Sequence, residues 1–289
     1  MPRRATREPG AVDETFPVLS TQDRRAARMT QLLPGRPVGR FTGRLWAKTL
    51  LAAALWALVF SVPCAAFLEL APTTVGSPWA FGLTLISAYV AVNTTLGLVE
   101  RIRAEFGQVR LPGLLASTTI WGALSLTALA WLAAGFATEP EPAFDLRHIA
   151  TATSLPRELL ALLAATAGIW AVSAAIRLAH AFGHARSRQQ TIERLRRTGT
   201  RHAGALAERD HRGSWLFDKP EFRIQIAYDD HGRQRLVPAF MRTRSTQVPV
   251  VGSAVVIFTD EADGIHIDLD RSSGVEYEAD HRRFEPSDG

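Results

Sequence analysis

The chain contains very little cysteine and very little lysine. Its single cysteine, Cys64, cannot form a disulfide within the chain, so a disulfide-stabilised scaffold is excluded. Lys48 and Lys219 are the only lysines, so the formal net charge of +5 comes almost entirely from arginine. This use of arginine over lysine, together with abundant alanine, is typical of proteins from bacterial genomes rich in G and C.

Four segments lack Asp, Glu, Lys, Arg and His altogether. They lie between Lys48 and Glu69, between Glu69 and Glu100, between Arg110 and Glu139, and between Glu158 and Arg177. A hydrocarbon core about 30 Å thick requires roughly 20 apolar helical residues, and each segment supplies about that number. The sequence therefore predicts an α-helical membrane bundle in residues 41–180, with four transmembrane helices at about 45–68, 79–99, 114–136 and 159–179.

Arginine is distributed unevenly among the segments that join these helices. Three segments are rich in it: the one before the first helix, the one between the second and third, and the one after the fourth. The other two connections contain few basic residues. Because cytoplasmic loops carry the excess of basic residues, we expect a multi-pass protein of the bacterial cytoplasmic membrane with both termini in the cytoplasm.

The polar segments next to the bundle give further expectations. Residues 1–40 combine prolines with scattered charges, which predicts a disordered cytoplasmic arm. Residues 181–198 predict a basic juxtamembrane helix that ends before Gly199. Its arginines are expected to contact the bilayer through anionic lipid head groups, whereas nucleic acid is rejected as a partner because no aromatic residues alternate with them. These arginines are Arg186, Arg188, Arg194, Arg196 and Arg197.

The last part of the chain shows a periodicity of two. Phe222, Ile224, Ile226 and Tyr228 alternate with polar residues, and glycine-containing turns follow at short intervals. The pattern predicts a small all-β cytoplasmic domain in residues 199–275, folded as a barrel or rolled sheet, and a frayed tail in residues 276–289. Five strands are expected, near 201–209, 222–228, 233–241, 254–259 and 265–270. Phe222, Ile224, Ile226, Val255 and Ile257 are the predicted core.

Candidate chemical sites are few. His180 and His184 lie one helical turn apart, so they are weak candidates for a metal pair that lacks an obvious third ligand. Asp268 and Asp270 are expected to face solvent on one side of a strand, and the acidic run ending at Gly264 is expected to form a turn. We identify no catalytic residue and no cofactor-binding motif in the sequence.

Small residues recur on one face of the fourth predicted helix. Ala164, Gly168, Ala171 and Ala175 follow at spacings of four, three and four residues, which lets another helix approach closely. Packing within the bundle is the favoured interpretation, and a homo-oligomer interface is the alternative.

Three segments of the tail support a resemblance: residues 199–204, residues 222–228 with the turn that follows them, and residues 248–258. They resemble the β-module of unknown function that follows transmembrane helices in many bacterial proteins. The whole chain resembles uncharacterised integral membrane proteins of actinobacteria, and the tail is similar to the OB-like cytoplasmic domain of NfeD-type membrane proteins. The resemblance implies a membrane anchor with a β-domain and supplies no catalytic residues.

The favoured function is therefore a non-enzymatic membrane protein whose β-domain binds an unknown protein partner or stabilises an assembly. A small-solute transporter and a membrane-embedded enzyme are the alternatives. A transporter would be expected to carry ionisable residues at membrane depth, and an enzyme a Ser-His pair or a carboxylate pair. The four apolar segments contain none of these.

Overall fold

The computed structural model describes residues 17–23, 25–67, 78–138, 156–217, 219–262, 264–270 and 272–286. The chain divides into two compact units. We name the first the helical unit, which comprises Gly39–Glu105 and Arg110–His184. The second, the β-unit, comprises Met1–Val38, Phe106–Val109 and Ala185–Gly289.

Among the described residues, the predicted helices are confirmed as four helices that are long and apolar enough to cross a membrane. They are α1 Gly43–Phe67, α2 Pro78–Phe106, α3 Arg110–Thr138 and α4 Pro156–Thr198. The largest differences from the predicted bounds lie at the end of α2 and at the start of α3, and α4 continues through the predicted basic helix of residues 181–198. The prediction placed its limits at the first charged residues, but charges such as Glu100 do not end a helix where water can solvate them.

Helix α4 is 43 residues long, which corresponds to about 65 Å of helix. It contains both the fourth apolar segment and the predicted basic helix of residues 181–198 in one continuous element. The helix ends directly before Gly199, as predicted, and the Gly199 amide donates to the carbonyl of Leu195 at 2.9 Å. The boundary between the two units falls within α4, between His184 and Ala185.

Polar contacts in the helical unit join neighbouring helices. The Trp131 Nε1 group of α3 donates to the Ser61 hydroxyl of α1 at 2.9 Å, and the Trp56 Nε1 group of α1 donates to the Thr95 hydroxyl of α2 at 3.0 Å. Ser125 of α3 donates to the carbonyl of Ala164 on α4 at 2.9 Å. These bonds use the polar groups at membrane depth for packing between helices.

The predicted barrel or rolled sheet is confirmed as a six-stranded antiparallel sheet in the order β1-β4-β3-β2-β5-β6. Strand β1 also lies close to β6, so the sheet is nearly closed. The strands are β1 Val18–Ser20, β2 Thr200–Leu216, β3 Lys219–Asp230, β4 Arg233–Arg242, β5 Ala254–Thr259 and β6 Ile265–Leu269. All five predicted core residues are buried inside it.

The sixth strand, β1, comes from the segment that was predicted to be a disordered arm, and over residues 17–23 and 25–38 that prediction is wrong. Val18 and Leu19 pair with the end of β4, and Met29 is only 1% exposed. Arg242 of β4 donates to the carbonyl of Ala26 at 2.9 Å. A few apolar side chains and backbone pairing with β4 are enough to order this proline-containing segment. Residues 1–16 lie outside the described residues.

The prediction of a frayed tail is also wrong for residues 276–286. Tyr277 forms a bridge with Pro249, and a 3-10 turn follows at His281–Phe284. Phe284 is only 7% exposed, and its carbonyl accepts a hydrogen bond from Trp215 Nε1 at 2.9 Å. One aromatic side chain thus fixes the end of the chain to the barrel core. Residues 287–289 lie outside the described residues.

Candidate functional site

A cavity of about 410 Å³ lies in the β-unit at the incompletely closed edge between β1 and β6. We name it the seam cavity. Its walls come from β1, the segment of residues 30–34, the end of α4, and strands β5 and β6. Its lining includes Leu19, Leu33, Arg196, Phe258, His266 and Asp268.

The alternation of side chains along β6 builds one wall of the cavity. Ile267 packs in the barrel core, with Ile265 and Leu269 partly buried against that core. Successive strand residues point to opposite faces, so His266 and Asp268 lie on the outer face. Both of them line the seam cavity. The two faces of one short strand thereby supply the barrel core and the candidate site.

Arg196, near the end of α4, makes the central contact of the site. Its Nε donates to Asp268 Oδ2 and its Nη2 donates to Asp268 Oδ1, both at 2.8 Å. Its Nη1 donates to the carbonyl of Leu32 at 2.7 Å. The paired bonds match the planar guanidinium to the carboxylate, which makes this contact stronger than an ordinary ion pair. One side chain therefore connects α4, β6 and the N-terminal segment.

His266 completes a cluster of three polar side chains. Its Nε2 lies 3.2 Å from Asp268 Oδ1, and its ring stacks on Phe258 with 6.2 Å between centroids. Burial acts to raise the pKa of the Asp268 carboxyl, but hydrogen bonds from His266 and Arg196 outweigh it, and the pKa lies well below its usual range. Asp268 is therefore ionised at neutral pH, and Arg196 balances its charge.

The expectation that Asp268 faces solvent is corrected by this arrangement, since its carboxylate is bound by Arg196 and His266. Asp270 does lie at the solvent boundary, where its Oδ1 accepts from both the amide and the hydroxyl of Ser272. The predicted acidic turn is present as well: Asp260 Oδ1 accepts from the amide of Gly264 at 2.6 Å. Sequence alternation identified the face of each residue but could not show what covers that face.

The five arginines predicted to contact lipid head groups have different environments. Arg188 is buried beside Asp23, with 3.9 Å between the charged atoms, and Arg196 lies in the seam cavity. For these two the prediction is wrong, because their guanidinium groups are enclosed by the β-unit. Arg194 contacts Asp260 at 2.8 Å, and Arg197 contacts Glu193. Both of these, like Arg186, are exposed, and their lipid contact stays a prediction.

The candidate metal pair gains no further ligand from the fold. His180 and His184 are both exposed on α4. Within the part of the chain that the structure describes, no group of three or more His, Cys, Asp or Glu residues is placed to hold a metal ion. The two histidines are therefore brought together by the helix alone.

The small-residue face of α4 packs within the bundle in part. Ala164 is buried, and a Cβ atom added at Gly168 would lie 3.1 Å from the Ser125 hydroxyl of α3. Ala171 and Ala175 are half-buried. The most buried residue of this face is Ala167, which the predicted set omitted. The buried stripe is therefore rotated slightly from the predicted one, since its centre follows Ala164 and Ala167.

Sequence reasoning missed the seam cavity, although one signal for it was present. Asp268 and His266 are two residues apart in a strand, which places them on one face. The assignment of residues 30–34 to a disordered arm removed the wall that covers this face. Comparison with known proteins supplies no further guide, because no family model, curated protein or solved structure matches the chain.

Proposed function

We propose that this chain is a non-enzymatic, multi-pass protein of the bacterial cytoplasmic membrane, and that its β-unit binds a protein partner at the cytoplasmic surface. The observation that carries the proposal is the seam cavity, a largely apolar recess of about 410 Å³ with a few converging polar groups. Cavities of roughly 300 to 1,000 Å³ with this character are the usual sites of small ligands, and a recess of this kind also accepts an apolar side chain of a bound peptide.

The construction of α4 supports a membrane-linked role for this cavity. One helix contains the fourth apolar segment and also Ile192 and Arg196, which line the seam cavity. A partner bound in the cavity would therefore contact an element that continues into a candidate membrane span. The distribution of arginine along the chain supports a cytoplasmic position for both termini. Exposed Arg186 then supports additional contact with anionic lipids.

A transporter or a membrane-embedded enzyme has less support from the helical unit. Trp56, Thr95, Ser61 and Trp131 use their polar groups to join neighbouring helices. The four apolar segments contain no Asp, Glu, Lys, Arg or His between their flanking charges. A proton or ion pathway through these segments would lack the groups that such pathways use.

Photo-crosslinking in living cells tests the proposed function. Leu33→p-benzoylphenylalanine places the crosslinker at the seam cavity, and Leu236→p-benzoylphenylalanine places it on exposed β4 as a matched control. We expect a discrete protein adduct from position 33 and a much weaker one from position 236. Equal adducts at both positions, or none at either, would contradict partner binding at the cavity.

A further inference from the structure

Strand β6 is an end strand of the sheet, and it pairs with β5 along one of its edges. The amide of Asp270 donates to the carbonyl of Ala254 at 3.1 Å, which shows that this opposed pair is hydrogen-bonded. In an antiparallel ladder, hydrogen-bonded and non-hydrogen-bonded pairs alternate. Asp268 and His266 therefore also direct their backbone groups toward β5.

The intervening residues of β6 direct their backbone N–H and C=O groups toward the opposite edge. The carbonyl of Ile265 accepts a hydrogen bond from the Thr21 hydroxyl at 3.1 Å, which ties the seam at one end. Ile267 and Leu269 follow toward the other end, and both line the seam cavity. Among the described residues, no strand pairs with this edge of β6.

The charges around the cavity favour a neutral occupant. Arg196 is bound to Asp268 through two hydrogen bonds, so its charge is already balanced. Arg201 and Asp270 are the other charged residues that line the cavity. The formal charges of these two arginines and two aspartates cancel, so the lining does not select an anion such as a fatty acid or a phospholipid head group. The peptide backbone is neutral and carries both donors and acceptors, which is what an open strand edge requires.

We propose that the seam cavity captures an extended peptide segment of a protein partner, which adds to the edge of β6 at Ile267 and Leu269 and places an apolar side chain in the cavity. In this mode of recognition, main-chain hydrogen bonds give affinity and a pocket for alternate side chains gives specificity. Leu33 and Phe258 supply the apolar walls of such a pocket. The inference rests on the proposed function, for which it names the class of partner.

The test uses the purified full-length protein and a phage-displayed library of short random peptides as the probe. Leu269→Pro removes the N–H of residue 269 that points away from β5. The pairing of β6 with β5 is preserved, because that N–H takes no part in it. Leu269→Ala keeps the N–H and is the matched control. We expect peptides enriched on the wild-type protein to bind Leu269→Pro about tenfold more weakly than Leu269→Ala, because both variants lose the leucine side chain and only the proline variant also loses the N–H.

A second readout does not depend on the folding of a variant. Each backbone amide of an enriched peptide is methylated in turn, which removes one donor and keeps every side chain. Strand addition predicts weaker binding at every second position, because a strand directs alternate amides to its neighbour. Absence of enriched peptides, or binding that is insensitive to amide methylation, would overturn the inference, as would enrichment abolished by phosphatidylglycerol vesicles.

The outcomes separate this inference from the proposed function. A crosslinked adduct at position 33 that persists in the Leu269→Pro background would leave partner binding in place and overturn strand addition at β6. Absence of the adduct at position 33, with or without the Leu269→Pro change, would overturn the proposed function itself, whether or not the library peptides bind.

Discussion

The helical unit and the β-unit place the same kinds of side chain in opposite environments. Ile224 of β3 is 0% exposed, whereas Ile169 of α4 is 71% exposed. In the apolar stretch of each long helix, only between 11% and 33% of the residues are buried. In the β-unit, by contrast, a continuous core fills the barrel. The difference is the one expected between a unit that faces lipid and a unit that faces water, since the four long apolar helices leave most of their side chains outside their own packing.

The comparison also separates the forces that stabilise each unit. The barrel gains from removing apolar area from water, at roughly 25 cal/mol per Å². Helices in lipid lack that driving force and associate through close packing and hydrogen bonds between helices. Accordingly, residues buried between the helices are often small, such as Ala52, Ala128 and Ala167. Those in the barrel core are large, such as Phe222 and Met241.

The largest expected effect is a loss of stability on truncating a core side chain of the barrel. Ile224→Ala should cost about 3 kcal/mol of stability, because it leaves a cavity in the barrel core. Ile169→Ala removes the same atoms from an exposed position and should have little effect on stability. Limited proteolysis and thermal melts of the full-length protein in detergent measure both. Similar losses for the two variants would break the distinction between the units.

A second prediction concerns the short loop between α2 and α3, which belongs to the β-unit. Gly107 has a positive φ of 60°, and a Cβ atom there would lie 2.0 Å from the carbonyl oxygen of Gln31. Gly107→Ala should therefore cost at least about 2 kcal/mol through strain and steric overlap. Gly113→Ala is the control, since its Cβ would meet open space. If both variants melt at the same temperature, this loop contact is absent in solution.

The third prediction concerns close packing in the helical unit. Gly168→Leu should cost about 1.5 kcal/mol by overpacking against Ser125, because a Cβ atom alone would already lie 3.1 Å from that hydroxyl. Ala165→Leu changes an exposed position and should be milder. Thermal stability in detergent compares the two variants. Equal shifts would remove the packing assignment of this face of α4.

The smallest effect is a dependence of stability on pH in the β-unit. The pKa of Asp268 is lower in the folded protein than in the unfolded chain, so its contribution is present above about pH 4 and is lost as pH falls below that value. Asp268→Asn should reduce stability by about 1 kcal/mol at neutral pH and flatten the acid limb of the curve. An unchanged acid limb in melts across pH would show that the Arg196 contact contributes nothing measurable.

Much of the fold could be predicted because strong local patterns specify it. Absence of charge located all four helices, and alternation located the barrel core around Phe222, Ile224 and Ile226. The missed elements have weak local signals: β1 has three residues, and Phe284 is one aromatic side chain near the end of the chain. Their order comes from contacts with residues more than 60 positions away, which a local pattern cannot show.

The candidate site was less predictable than the fold for the same reason. Arg196 and Asp268 are 72 positions apart, and each has a common surface role when considered alone. The N-terminal segment that covers them has no periodic pattern. The pairing of β1 with β4 and the hydrogen bonds of Thr21 and Leu32 bring this segment to the seam, and all of these contacts depend on the folded β-unit.

The most direct test of the account is the side of the membrane on which the β-unit lies. In a Cys64→Ala background, Ser273→Cys places a thiol on the exposed surface of the β-unit, and Ser77→Cys places one in the predicted external connection between α1 and α2. If the β-unit is cytoplasmic, an impermeant maleimide added to intact cells labels Ser77→Cys and reaches Ser273→Cys only after the cells are opened. Labelling of Ser273→Cys in intact cells, with Ser77→Cys protected, would contradict a cytoplasmic β-unit.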